Sequence, residues 1–424
     1  MPVYIATKAF YDGIGSIPYA VPILKTLPWI IAVWVLKLFF GGARNASERN
    51  MHSKVIMMTG GTSGIGAEVA RELASRGAQL ILLTQQPLSD PFLIDYIMDL
   101  RNSTHNELIS AERVDLASLY SIRLFATRWV DNAPPRRLDA IILCGNTLTP
   151  RGGQIQVTDD GVESNWGVNY LANFHLLSIL SPALRAQPPD RDVRVILGTC
   201  SSYVGGELPE LPSHSEKASK SGKEKSIKSS STSKSSQAGP FSPSTAYASS
   251  KFALTTFGLA LQKHLSSYKR PDGTESNARV ILVNPGFVRT PGTRRYLTFG
   301  TLFGLLIYLL TYPVWWLILK SPNQGAQGFL YAAMEASLGR GAGGILVREC
   351  AIVPFGRSEV TDEGMQKGLW ELSEQTIERA EKEGAVRRAM EKKEAEIRDE
   401  AEKGEETKNA ASQRTSGSGR SKKA

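Results

Sequence analysis

The 424-residue sequence predicts an α/β fold in which helices cover both faces of a parallel sheet. Short apolar runs, typical of buried strands, alternate with stretches in which apolar residues recur at helical spacing. Elements that alternate in this way build a doubly wound parallel sheet within a single domain. The expected strands are 55–58, 79–83, 112–114, 140–143, 194–197 and 279–283.

The first of these strands leads into a glycine-rich turn. Gly60, Gly64 and Gly66 follow the strand, and a helical pattern continues to Arg76. Glycine lets the backbone approach a pyrophosphate closely, and the N-terminus of the helix offers free N–H groups and a favourable dipole. The context therefore predicts a Rossmann-type dinucleotide-binding unit.

The end of the second strand indicates which nicotinamide cofactor fits. An acidic residue at this place would hydrogen-bond the adenosine ribose and repel a 2′-phosphate. The strand instead runs into Thr84-Gln85-Gln86, without an acid. This pattern favours NADP over NAD.

A later helical pattern carries Tyr247 and Lys251. Apolar residues such as Phe252, Phe257 and Leu261 recur at helical spacing around them. Residues i and i+4 project from one face of a helix, so the phenol and the ammonium are expected to be neighbours. A nearby cation favours the phenolate, and we therefore expect Lys251 to lower the pKa of Tyr247 and suit it to general acid/base work.

These motifs, in this order, resemble the short-chain dehydrogenase/reductase family over about residues 53–350. The family's glycine turn and its Tyr-x-x-x-Lys pair are both present. Asn169 lies in a helical pattern at the place of the catalytic asparagine, and Ser202-Tyr-Val-Gly matches the serine motif. The helix around Asn169 and the segment 321–327 look like the retinol dehydrogenase group and its fungal membrane or lipid-droplet relatives.

The resemblance implies a role for each matched residue. Tyr247 would be the general acid/base, and Lys251 would lower its pKa and hold the nicotinamide ribose. Ser202 would hydrogen-bond the substrate oxygen, and Asn169 would position a water in a proton relay. The residues implied to bind the cofactor are Gly60, Ser63, Gly64, Ile65, Gly66, Asp115, Tyr247, Lys251, Pro285, Val288 and Thr290.

Two features depart from the family pattern. Leu143-Cys144-Gly145-Asn146 replaces the usual Asn-Asn-Ala-Gly after the fourth strand, and Cys144 is expected to be a packed thiol. Ser202 precedes Tyr247 by 247 − 202 = 45 positions, which is long for the family. A Ser/Lys-dominated stretch at 213–238 accounts for the excess, and its composition predicts a disordered insertion.

Two segments are apolar enough to meet a membrane. Within an N-terminal anchor region, 1–50, the densest apolar part is 28–40, and a second segment, 297–319, carries no charge. Each is expected to enter or lie in a bilayer, and 297–319 either spans it or forms a kinked, re-entrant or interfacial helix because of Pro313. The alternative for both is a helix packed on the protein itself. The catalytic domain is expected at 53–358, followed by a charged tail at 359–424.

Composition excludes several other classes. The net charge is +9, but the basic residues concentrate at 217–234 and at the C-terminus, so no nucleic-acid-binding face is expected. The three cysteines are widely separated, so we expect no disulfide framework. The five histidines show no ligand spacing with each other or with cysteine, so we expect no metal site. The few cysteines favour a reducing compartment.

We therefore expect an NADP-preferring, membrane-associated oxidoreductase that interconverts a carbonyl and an alcohol. Its substrate would be lipophilic, of the retinoid, sterol or fatty aldehyde class. Its catalytic domain would lie on the cytosolic side of the endoplasmic reticulum or of a lipid droplet. The alternative is a catalytically silent, cofactor-binding membrane scaffold that recruits partners through the charged tail. The sequence leaves the oligomeric state and the direction of reaction open.

Overall fold

A computed structural model describes residues 19–209, 241–270 and 273–417. The predicted insertion at 213–238 lies outside these residues. The described chain forms one eight-stranded sheet in the order β3-β2-β1-β4-β5-β6-β7-β8, parallel except for β8 at the edge. The strands are β1 (Val55–Thr59), β2 (Gln79–Thr84), β3 (Ile109–Arg113), β4 (Ala140–Leu143), β5 (Val193–Gly198), β6 (Ala278–Asn284), β7 (Ile345–Arg348) and β8 (Ala351–Val353).

Helices pack on both faces of the sheet, as the doubly wound fold requires. Those that cover the sheet are α2 (Gly64–Ser75), α3 (Pro91–Thr104), α4 (Leu119–Val130), α5 (Ala172–Arg185), α6 (Pro243–Ser267) and α10 (Pro322–Met334). The others are α1 (Ala20–Gly41), α7 (Pro291–Leu297), α8 (Leu302–Leu310), α9 (Tyr312–Ile318), α11 (Ala336–Arg340) and α12 (Glu363–Gly417). The strand order reverses between β1 and β4, and this switch point opens a crevice at the carboxyl ends of the strands.

The structure confirms the predicted fold class and five of the six predicted strands. The third strand is wrongly bounded: it runs over Ile109–Arg113 and not over 112–114. Beyond Ile109, which is buried, its side chains are largely polar and only partly buried, so the apolar signal is weak there. The short strands β7 and β8 were not predicted, because a run of three or four residues after a glycine-rich turn carries little periodicity.

Alternating strand residues supply two separate apolar cores. Met57 and Ile141 face one core, with α4, α5 and α6, whereas Ile56 and Ile142 face the other, with α2 and α10. This alternation is the period of a β-strand buried on both faces. The two cores fix the strand ends that carry the site.

The start of the charged C-terminal segment belongs to the folded body. The Tyr170 and Ser373 hydroxyls are 2.6 Å apart in a buried hydrogen bond, and the rings of Phe174 and Trp370 meet edge to face. The expectation of a separate solvated tail from residue 359 is therefore wrong for the first turns of α12. The helix continues to Gly417.

The two apolar segments form different structures. Among the described residues, only Pro22–Gly41 in α1 is long and apolar enough to cross a bilayer, with a mean hydropathy of 1.8 and none of it buried. The other segment breaks at Thr311 into α8 and α9, and helices of 9 and 7 residues are too short to span. The kinked form that Pro313 predicts is confirmed, and most apolar side chains of α1 are exposed rather than buried in either core.

Candidate active site

A cavity of about 240 Å³ opens at the switch point, where the ends of β1, β4, β5 and β6 meet. Most of the predicted cofactor-binding residues lie on its wall. Those are Gly60, Ser63, Gly64, Ile65, Gly66, Tyr247, Pro285, Val288 and Thr290.

The glycine turn leaves no room for side chains at two of its positions. Gly60 has a φ of +68°, and a Cβ placed on it would lie 2.7 Å from the Gly145 nitrogen. A Cβ on Gly66 would lie 2.1 Å from the Gly60 carbonyl oxygen. The backbone is thus exposed to the cavity where α2 begins, which fits the pyrophosphate of a dinucleotide bound at a helix N-terminus.

Helix α6 places Tyr247 on the cavity wall and the buried Lys251 one helical turn behind it. The Lys251 ammonium lies 5.6 Å from the centre of the Tyr247 ring. Its Nζ donates to the carbonyl oxygen of Gly198, at the end of β5, over 2.9 Å. The Tyr247 hydroxyl accepts from Nδ2 of Asn146 over 3.3 Å. The predicted proximity of the pair is confirmed.

The electrostatics of the pair differ from the expectation. Burial raises the pKa of Tyr247 well above its usual range, and the neighbouring Cys200 raises it further, against the opposing effect of the Asn146 amide. Burial also lowers the pKa of Lys251. The net shift of the Tyr247 pKa is therefore upward, and the expectation that Lys251 lowers this pKa stays a prediction.

The buried Asn169 side chain connects two of the segments that form the site. It lies in a π-helical turn, Gly167–Leu171, which leads into α5. Its Oδ1 accepts from the Thr147 nitrogen over 2.7 Å, and its Nδ2 donates to the Thr147 carbonyl and to Ser250 Oγ. The side chain thus fastens the loop that carries Asn146 to the helix that carries Tyr247. Its role in a water relay stays a prediction.

The structure places Cys200, and not Ser202, on the cavity wall with Tyr247. The neighbouring thiol raises the pKa of Tyr247. Ser202 is exposed and lies outside the cavity wall formed by the described residues. Its Oγ is 2.6 Å from the Cys200 sulfur. A direct role of Ser202 on the substrate oxygen stays a prediction that this geometry does not favour.

Asp115 lies outside the cavity lining, two residues beyond the end of β3. Its Oδ2 accepts from Nε2 of Gln85 over 3.2 Å, and its Oδ1 accepts from the Ala117 nitrogen over 2.8 Å. These contacts join the ends of β2 and β3. The contact of Asp115 with adenine stays a prediction.

Sequence reasoning missed two residues at the reacting end of the cavity, Asn146 and Cys200. Each follows the end of a central parallel strand, β4 or β5, by two or three positions. Because carboxyl ends of parallel strands meet at one edge, counting from the strand ends would have placed both at the site. The serine motif indicated Ser202, whereas the residue that lines the cavity is Cys200, two positions earlier.

A glycine turn and a tyrosine line one cavity at the switch point, and a buried lysine lies one helical turn from the tyrosine. This arrangement is typical of a nicotinamide-dependent oxidoreductase. The family model described as short chain dehydrogenase matches residues 54–229. The chain belongs to this family, and it is an NAD(P)-dependent oxidoreductase that acts on CH–OH groups.

Three curated relatives resemble most of the chain. The uncharacterized oxidoreductase pbr1 of Schizosaccharomyces pombe is 39% identical, over 83% of this chain and 89% of that protein. Polyprenol dehydrogenase of Mus musculus is 32% identical, over 75% of this chain and 82% of that protein. Retinol dehydrogenase 13 of Mus musculus is 29% identical, over 81% of this chain and 89% of that protein.

Proposed function

We propose that the protein interconverts a carbonyl and an alcohol on a long lipophilic substrate at a membrane surface, with Tyr247 as the general acid/base. The observation that carries this proposal is that Tyr247 and the glycine turn line the same cavity. The segment 291–319, which begins at this cavity, exposes apolar side chains.

The residues divide the chemistry among themselves. The nicotinamide supplies or accepts the hydride when it is bound. The glycine turn and Thr290 hold the cofactor, and Lys251 braces the end of β5 through its bond to Gly198. In the direction of reduction, Tyr247 gives its proton to the carbonyl oxygen, and in oxidation it takes the proton back.

The end of β2 supports NADP as the preferred cofactor. Thr84 ends the strand, and Gln85 follows it with an amide that donates to Asp115. An amide does not repel a 2′-phosphate, whereas a carboxylate at this position would. We expect kcat/KM for NADPH to exceed that for NADH by about tenfold or more, and Gln85→Glu to reduce that ratio. An unchanged ratio in the variant would place cofactor selection elsewhere.

The arm, residues 291–319, connects the cavity to an apolar surface. Its first residues, Pro291 to Thr293, line the cavity, and its base is closed by a bridge between Val288 and Lys320. Farther out, Leu302, Phe303 and Leu310 are 87%, 72% and 75% exposed. An apolar surface of this kind marks a site of contact with a membrane or a partner.

Helix α1 packs against the arm and extends the same surface. Lys37 donates to the backbone carbonyls of Trp316 and Leu319, and its ammonium lies 4.8 Å from the centre of the Trp316 ring. The one charged group in the apolar half of α1 is therefore used within the protein. The 20-residue helical stretch Pro22–Gly41 is about 30 Å long, which matches the hydrocarbon core of a bilayer.

The membrane proposal is tested by flotation with liposomes. Deletion of residues 1–45 should leave the protein partly bound, because the arm is a second apolar surface. Adding Leu302→Asn, Phe303→Asn and Leu310→Asn should release it. The matched control is Leu88→Asn, Phe92→Asn and Ile94→Asn, three exposed apolar residues elsewhere. Complete release by the deletion alone, or by the control set, would contradict the role of the arm.

We propose the cytosolic face of the endoplasmic reticulum or of a lipid droplet as the location. The three cysteines Cys144, Cys200 and Cys350 are free, which suits a reducing compartment. In microsomes, added protease should digest the catalytic domain without detergent. Protection of the catalytic domain would contradict this orientation.

Two relatives carry names that indicate their substrates, retinol and polyprenol. We extend that class, a primary alcohol or aldehyde on an isoprenoid chain, to this protein, with sterols and fatty aldehydes as further candidates. The test is NADPH oxidation with a panel of these carbonyls in vesicles. Tyr247→Phe should lower kcat about 10²–10⁴-fold without loss of cofactor binding. Cofactor binding with no turnover of any carbonyl would favour the scaffold alternative.

A further inference from the structure

The Ser202 hydroxyl contacts the sulfur of Cys200, and Cys200 lines the cavity together with Tyr247. We propose that the thiol of Cys200, and not the hydroxyl of Ser202, hydrogen-bonds the reacting oxygen of the substrate, and that Ser202 orients this thiol. The inference deepens the proposed function and rests on it.

The backbone at the end of β5 places the thiol in the cavity. Cys200 is extended, with φ −156° and ψ 163°, and a short 3₁₀ turn, Ser201–Gly205, begins directly after it. This arrangement leaves Cys200 on the cavity wall, in the same lining as Tyr247 and Asn146. Because the 3₁₀ turn changes the direction of the chain, the two serines that follow are exposed.

The neighbouring serines have other partners. Ser201 Oγ accepts from Nδ2 of Asn284, at the end of β6, over 2.8 Å. Ser202 Oγ contacts the sulfur of Cys200 over 2.6 Å. The 3₁₀ turn itself is held close to α6, because a Cβ on Gly206 would lie 2.5 Å from the Ala248 carbonyl oxygen. Among the described residues that line the cavity, neither serine is found.

The thiol can perform the task of a hydrogen-bond donor. When Ser202 donates its proton to the sulfur, the S–H of Cys200 is free to point at the substrate oxygen. In reduction, the hydride adds to the carbonyl carbon and the Tyr247 proton goes to the oxygen, while the thiol keeps its proton throughout. A thiol is a weaker donor than a hydroxyl, so a serine at this position should serve at least as well.

The position of the Cys200 thiol can be tested by chemical modification. Cys200 is partly exposed in the cavity. Cys144 lines the same cavity, but burial raises its pKa to about 12, which slows its reaction with alkylating reagents. Burial likewise raises the pKa of Cys350, which lies at the turn between β7 and β8. Cys200 is therefore the thiol that an alkylating reagent should modify first.

The first test compares four variants of the full-length protein in vesicles. Cys200→Ala should lower kcat about 10–100-fold, with the Kd for NADPH changed less than about threefold. Cys200→Ser should restore kcat to within about threefold of the wild type or above it. Ser202→Ala should cost less than Cys200→Ala, and Cys350→Ser should leave kcat unchanged. A large loss in Ser202→Ala with full activity in Cys200→Ala would overturn the inference.

The second test needs no turnover. Limited alkylation with iodoacetamide, followed by peptide mass spectrometry, should modify Cys200 at least about tenfold faster than Cys144. Saturating NADPH should slow the modification of Cys200. Equal rates, or no effect of NADPH, would contradict the placement of this thiol. Protection by NADPH without turnover of any carbonyl in the panel would instead count against the proposed function alone.

Discussion

The two sides of the cavity are built in opposite ways. On the glycine-turn side, backbone meets backbone so closely that a Cβ on Gly66 would lie 2.1 Å from the Gly60 oxygen. On the arm side, Leu302 and Leu310 are 87% and 75% exposed. The glycine-turn side is packed by the protein's own backbone. The arm side exposes apolar side chains to water, which is unfavourable unless a membrane or a partner covers them. We propose that the fold alone binds the cofactor on the first side, and that a membrane delivers the substrate to the second.

The largest effect is expected on the close-packed side. Gly66→Ala should overpack the turn at a cost of about 1–3 kcal/mol, which is roughly 5- to 150-fold in the Kd for NADPH if it falls entirely on binding. Isothermal titration checks this. The control, Gly384→Ala, lies in α12, where alanine favours a helix by about 1 kcal/mol over glycine, and should leave the Kd unchanged. A normal Kd in Gly66→Ala would contradict the close packing.

A smaller effect is expected where α1 meets the arm. Lys37→Ala removes the hydrogen bonds of an ammonium to the Trp316 and Leu319 carbonyls, each worth about 1.5–3 kcal/mol. Amide hydrogen exchange of 302–318 should become at least about tenfold faster.

Lys25→Ala is the matched control for this prediction, because Lys25 is exposed on the same helix. It should leave the exchange of the arm unchanged. Equal protection of the arm in Lys37→Ala would show that α1 does not hold it.

The smallest expected change is the response of the reaction to pH. Tyr247 must be protonated to act as an acid, and its pKa is raised by burial. The activity that it provides is therefore lost only as pH rises through a value above the ordinary tyrosine pKa of about 10. The profile of kcat/KM for reduction should carry no limb from Tyr247 between about pH 7 and pH 10.

A falling limb within that range is assigned to Lys251, whose pKa is lowered by burial. Lys251→Arg should then remove it, because arginine stays charged throughout. A limb that persists in the double variant Lys251→Arg, Cys200→Ser would contradict the assignment of a raised pKa to Tyr247.

The sequence predicted those parts of the fold that local patterns determine. The strands β1, β2, β4, β5 and β6 are buried apolar runs, and the glycine turn and the Tyr247–Lys251 pair are fixed by spacing within single elements. The edge strand β3 was wrongly bounded because its side chains are largely polar. The kink of the arm followed from Pro313, but its contact with Lys37 joins residues 279 positions apart, which no local pattern indicates.

The candidate site was less predictable than the fold. Whether Ser202 or Cys200 faces Tyr247 depends on where β5 ends and on the turn that follows it, and motif matching does not resolve a shift of two residues. The upward direction of the Tyr247 pKa shift was also not predicted, because burial and the neighbouring Cys200 cause it in the folded site. Both points depend on tertiary packing, which a short motif does not record.

The central claim is that a cofactor held by the glycine turn supplies the hydride to a membrane-borne carbonyl, and that Tyr247 supplies the proton. The most direct test uses NADPH deuterated at the transferring position, full-length protein and an isoprenoid aldehyde in vesicles, with mass spectrometry of the product. The account predicts one deuterium on the carbinol carbon with the wild type, and little or no labelled alcohol with Tyr247→Phe. Bound cofactor with no labelled alcohol from the wild type, or equal labelling by Tyr247→Phe, would contradict it.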